Sequence, residues 1–318
     1  MKKKIKYFLL VLILLFVSCG QKATTYEAKE ALSKHLVERY GEEFEIGYMG
    51  KRSDGKEVWY EAEIYPSKYV GTSKERDKYY HRRGTVNIEK GILGDRVGFV
   101  GDTYGKVKIN ESAEEFYGKK LKELFGDNVL QVYDIRFNRI LEDYSFEKII
   151  KVWKEEGVRL TIKGGIYIFG RVENDEDREW YRKQIYEFIQ FMKETGTFEY
   201  VDLNFTISDE RIFSDEFYSS PKLQFDMKKF GNYIEPEGRK VILNETNKSY
   251  KNTDKKNILD RINSLNKGNI DSEFYGIYWL YTKIYSPKYI ESHKLKNEIK
   301  KEYNSVFDID FSVEGYKN

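Results

Sequence analysis

The chain contains one cysteine, Cys19, and three histidines, His35, His81 and His293. A lone thiol can be acylated but cannot close an intrachain disulfide, and no histidine has a second within zinc-ligand spacing. Neither a Gly-x-Ser-x-Gly elbow nor a His-Glu-x-x-His helix occurs, so no catalytic or metal residue is nominated and no cofactor is expected. Gly101-Asp102-Thr103-Tyr104-Gly105-Lys106 has the glycines and lysine of a phosphate loop. Val100 stands where the motif's first glycine belongs and Val107 where its hydroxyl belongs, so turn glycines explain the stretch. His35 falls on or near the apolar side of a helix and reads as a satisfied, partly buried histidine. His81 lies in Tyr79-Tyr80-His81-Arg82-Arg83, which reads as a solvated loop, with contact to an anionic lipid or glycan as the sharper alternative. Asn174-Asp175-Glu176-Asp177 lacks the glycine and glutamate of a calcium loop and reads as a helix cap. Asp308 and Asp310 alternate with Phe307, Ile309 and Phe311, as on the solvent side of a strand. If Tyr275–Tyr285 is a helix, Tyr278, Tyr281 and Tyr285 share one face. That face is a candidate contact surface for sugar or protein, the plainer reading being a core helix.

The fate of Cys19 depends on what precedes it. Lys2, Lys3, Lys4 and Lys6 lead into an apolar run of 11 residues, Tyr7 to Val17. A membrane-spanning helix needs about 20, so residues 1–18 read as a secretory signal peptide. Phe16-Val17-Ser18-Cys19-Gly20 resembles the lipobox of bacterial lipoproteins, with Phe16 in the place usually held by Leu. The resemblance covers residues 1–20. It implies a diacylglycerol on the Cys19 sulfur, cleavage just before it and acylation of the new amino terminus. The body would then sit outside the cytoplasm, at the cell envelope, held to a membrane by N-terminal lipid. Loss of four lysines from the 55 basic residues leaves 51 against 53 acidic ones, so the net charge moves from +2 to −2. That balance removes the electrostatic case for a nucleic-acid partner.

These groups need a scaffold, and the composition supports one. With 27 Tyr, 20 Phe and 4 Trp, 40% hydrophobic residues and near-neutral charge, the 318-residue chain is too aromatic to be disordered. Residues 19–25 read as lipidated Cys and tether, 26–110 as a helix with antiparallel strands, 111–212 as an α+β module and 213–318 as a C-terminal α+β region. The expected fold class is α+β, with helices packed on antiparallel sheets in two or three modules. Helices near Tyr26–Tyr40, Ser112–Phe125, Asp177–Glu194 and Ser292–Tyr303 each lead through Gly41, Gly126, Gly196 or Asn304 to a strand. Phe146–Glu156 reads as a helix, and Val158–Val172 as a long strand or a hairpin bent at Gly164-Gly165.

The expected function is a binding or structural module for an envelope macromolecule, the partners being a membrane and a protein or glycan. An envelope hydrolase built from Asp and Glu residues that folding brings together, and a toxin-neutralising immunity lipoprotein, are the alternatives.

Overall fold

A computed structural model of the chain describes residues 23–91, 94–137, 144–214, 255–270 and 279–314. They fall into two compact units, residues 1–105 and 106–318.

In the first unit, Thr24 caps helix α1, Thr25–Tyr40, by a reciprocal bond pair with Glu27, and Gly41 at φ 67° closes it. Thr24 and Thr25 thus belong to the helix rather than to a tether. Ala23 is already buried, its carbonyl accepting from Tyr60 Oη at 3.1 Å. Ala28, Leu32 and Leu36, at helical spacing, are fully buried. They pack on an antiparallel sheet of β1, Phe44–Ile46, β3, Val58–Pro66, β4, Arg82–Gly91, and β5, Gly94–Asp102, in that order, with β2, Gly50–Ser53, also pairing β3. Alternation in β3 sends Tyr60, Ala62 and Ile64 into this core, where Val86 of β4 joins them. At Gly84 a Cβ would lie 2.6 Å from Leu32 Cδ2, so the missing side chain lets α1 approach β4.

The second unit contains α2, Gly105–Phe125, β6, Val129–Phe137, α3, Phe146–Glu156, β7, Leu160–Gly170, α4, Asp175–Glu194, and β8, Val201–Asp209. After them come α5, Lys255–Ser264, β9, Leu280–Tyr285, α6, Pro287–His293, and β10, Val313–Glu314. The sheet order is β10-β9-β8-β7-β6, so the segments 111–212 and 213–318 share one sheet. All pairs are antiparallel except β7 with β8. The crossover through α4 returns the chain to the same end of the sheet, which makes it mixed. The fold is α+β. Tyr117 of α2, Phe146 of α3 and Phe188 of α4 bury fully in one core with Ile162, Leu203, Phe205 and Ile284 from the strands.

Several local readings are corrected. Of the two readings of Val158–Val172 the long strand holds and the hairpin does not: β7 runs through Gly164-Gly165, paired on each side. A Cβ at Gly164 would stand 2.7 Å from the Tyr133 ring, so glycine there makes room for a tyrosine on the neighbouring strand. Leu280–Tyr285 is a strand, not part of a helix. Leu280, Thr282 and Ile284 are buried, and Tyr281 and Tyr285 point to the opposite face with Lys283. Pairing with β8 supplies the hydrogen bonds a helix would otherwise have made. No helix spans Ser292–Tyr303: Pro287 opens α6 early and Lys294 at φ 54° closes it. The left-handed residue near its end is Tyr303 at φ 51°, not Asn304. Phe307–Phe311 is no strand either. Val306–Asp308 is a short 3₁₀ turn in which Asp308 caps Ser305, while Asp310 pairs with Lys301. Among the described residues, no helix is long and apolar enough to cross a membrane.

Candidate functional site

Strand β8 sends Val201, Leu203, Phe205 and Ile207 to the core, and therefore Asp202, Asn204 and Thr206 to the other face. Register aligns Asp134, Lys163, Asp202 and Tyr285 in one row across β6–β9, with Asn204 and Lys283 in the next. The polar groups bond to one another. Asp202 Oδ2 accepts from Tyr289 Oη at 2.8 Å and pairs with Lys163 Nζ at 3.4 Å, while Tyr281 Oη donates to Asn204 Oδ1 at 3.2 Å. Tyr285, Tyr289 and His293 form a column, with ring centroids 5.7 Å and 4.0 Å apart and planes within 7° and 23°. The Tyr289 hydroxyl, and Asp202 beside it, hold the Lys163 ammonium above its ordinary pKa. Tyr285 does the same for Lys283. Partial burial, then Asp202, raises Tyr289.

Toward the start of β8 this face meets a cleft of about 350 Å³ lined by Trp153, Lys154, Gly157, Arg159, Glu199 and Tyr200. Its walls are the last turn of α3 and the turn between α4 and β8. Gly196 in that turn has no side chain, and a Cβ there would sit 3.1 Å from Lys154. The Arg159 guanidinium lies 4.4 Å from the Tyr200 ring centroid and donates to Ser292 Oγ at 2.7 Å. Glu199 pairs with Lys288. Half-buried Trp and Tyr faces beside a planar cation, an ammonium and a carboxylate are equipment for holding a polar ligand with flat apolar sides.

Of the sequence candidates, Tyr281 and Tyr285 lie together on this face, through strand alternation rather than helical spacing. Cys19 and Tyr278 lie outside the described residues. Lys163, Asp202, Tyr289, Trp153, Arg159 and Tyr200 come from four separate elements and the loops beside them, and no local spacing marks them as a group.

No family model matches the chain, and no curated protein matches it. Among solved structures, a DUF5037 family protein from Ruminococcus gnavus ATCC 29149 is similar over 56% of this chain and 73% of its own, at 14% identity and a TM-score of 0.32.

The other candidates are occupied by structure. His35 Nε2 meets the fully buried Asp102 carboxylate at 3.0 Å, as a satisfied histidine should. Asn174 caps α4 by accepting from Asp177 N. The Tyr79–Arg83 cluster is not a solvated loop, because Tyr79 and Tyr80 are buried and Arg82 and Arg83 open β4. Among the described residues, no group of three or more His, Cys, Asp or Glu could hold a metal ion.

His81 adds a pH dependence. Its Nδ1 faces Glu63 Oε1 at 2.9 Å and its Nε2 the Glu75 carbonyl at 2.7 Å, so both partners are acceptors and only the imidazolium donates to both. Burial pulls its pKa down, but Glu63, the Glu75 carbonyl and Asp77 outweigh that and leave it above 6.5. A raised folded pKa stabilises fully below the unfolded value, and the gain disappears as pH climbs through the folded one. Stability of the first unit is therefore expected to fall as pH rises above about 6.5. His81→Gln should flatten that slope in urea titrations at a series of pH values; an unchanged slope would assign it to another group.

Proposed function

We propose that the chain is a bacterial envelope lipoprotein, anchored through acylated Cys19, whose second unit binds an anionic envelope glycan at the Trp153–Tyr200 cleft. The anchor reading is supported by the chain's lone cysteine standing at the end of a basic-then-apolar leader. Two or more acyl chains hold stably where a single one exchanges, at about 0.8 kcal/mol per buried methylene. The single observation that carries the binding reading is the cleft: aromatic faces for sugar rings, with Lys154 and Arg159 for carboxylate groups. Glu199, paired with Lys288, accepts hydroxyl hydrogens at the rim.

Two measurements test the two halves. Cys19→Ala is expected to abolish incorporation of labelled fatty acid in the host and to move the chain out of the membrane fraction; undiminished labelling refutes the anchor. Residues 21–318 should retain solubilised envelope glycan, and the pair Trp153→Ala, Arg159→Ala should weaken retention by at least about tenfold. Equal retention by both forms removes the cleft as the binding site.

A further inference from the structure

Helix α1 begins almost at the anchor. Ala23 is buried at 7% exposure and held by Tyr60, and Thr24 is locked in its capping box, so the chain is already fixed to the body at residue 23. Only Gly20, Gln21 and Lys22 separate it from Cys19. Four residue steps of at most ~3.6 Å place the Ala23 Cα within about 14 Å of the lipid-bearing Cα. Tyr26 lies in the first turn of the helix, and its side chain is 76% exposed. The adjoining surface of α1 is a shallow groove of about 500 Å³ in which Tyr26, Ser33 and Val37 lie among two lysines, Lys29 and Lys34, and two glutamates, Glu30 and Glu38. An amphipathic ring and a lysine with an apolar stem are side chains that settle at a membrane–water boundary.

We propose that the first turn of α1, through Tyr26 and Lys29, rests in the headgroup layer of the bilayer that carries the anchor, as a second, non-covalent contact. This rests on acylation of Cys19. The reach is what commits the surface to lipid. The headgroup layer is ~5–7 Å deep on each side, and a tether of three residues lets Tyr26 reach it without any part of the described body having to move. The contact costs little additional entropy, because the anchor has already restricted the chain to that surface.

The test uses the full acylated chain in vesicles of phosphatidylcholine with a quarter phosphatidylglycerol. Acylation blocks the native thiol, so a second cysteine takes a fluorophore selectively. Glu30→Cys, exposed in the same groove one turn after Tyr26 and leaving Tyr26 and Lys29 in place, is compared with Lys78→Cys, an exposed position beside the start of β4. Tyr60, near Ala23, lies toward the other end of β3, six residues from its C-terminal Pro66. Fatty-acid labelling is measured on both samples. With labelling present, a nitroxide on the lipid headgroup should quench the probe at 30 at least threefold more than the probe at 78. Equal quenching at the two positions overturns the contact and leaves the anchor standing. A shielded probe at 30 without headgroup quenching means protein covers it and also overturns the contact. Absence of fatty acid removes the anchor and the contact together.

Discussion

Asp102→Ala is expected to cut hydrogen-exchange protection across α1 by about two orders of magnitude, or about 3 kcal/mol. The Asp102 side chain has no solvent exposure. One oxygen accepts from Tyr40 Oη at 2.6 Å and from the Tyr104 amide at 2.8 Å. The other meets His35 Nε2 at 3.0 Å and Arg39 Nη1 at 3.3 Å. His35, Arg39 and Tyr40 form the last turns of α1, whereas Asp102 ends β5, so one carboxylate ties the helix to the sheet's last strand. Hydrogen bonds involving a charged group contribute about 1.5–3 kcal/mol each, and they do not add fully. Truncation also leaves the Tyr40 hydroxyl and the Arg39 guanidinium facing a cavity where a carboxylate stood. Asp102→Asn keeps the shape and should recover part of the loss. Protection within threefold of wild type for Asp102→Ala would show that α1 is held by Ala28, Leu32 and Leu36 alone.

In the second unit the largest single loss is expected at Phe188. The side chain is fully buried, with ring centroids 5.7 Å from Tyr117 and 5.9 Å from Phe205, and it joins α2, α4 and β8. Phe188→Ala removes that burial and leaves a cavity whose walls are a sheet and two helices, with little freedom to collapse. The expected cost is about 4 kcal/mol, measured as a lower urea midpoint for residues 106–318 at unchanged slope. Phe188→Leu should lose less than half as much. A cost under ~1 kcal/mol for the alanine form would mean that the neighbouring rings close over the gap.

Residues that act through their immediate neighbours were legible in the sequence. The helix near Tyr26–Tyr40 with Gly41 after it, the bounds Phe146–Glu156 and the Asn174 cap all rest on interactions within a few positions of one another, and the structure contains each of them. The lone thiol behind a short apolar run is likewise a local pattern, and it carries the anchor proposal.

Wherever the partner is remote in sequence, tertiary structure decided. The run from Leu280 to Tyr285 satisfies a helical pattern as well as a strand pattern, and β8 resolves the ambiguity by offering an edge 73 to 83 residues away in the chain. Gly164-Gly165 leaves a long strand and a hairpin bend both open, and the strands on either side of β7, with the Tyr133 ring beside Gly164, select the strand. The cleft follows the same rule: Trp153 comes from α3, and Tyr200 arrives after the α4 crossover. Periodicity reports which face of an element is buried, because that face is set by local geometry. Which faces meet, and what lies where they leave a gap, depends on packing between elements that the order of residues does not show.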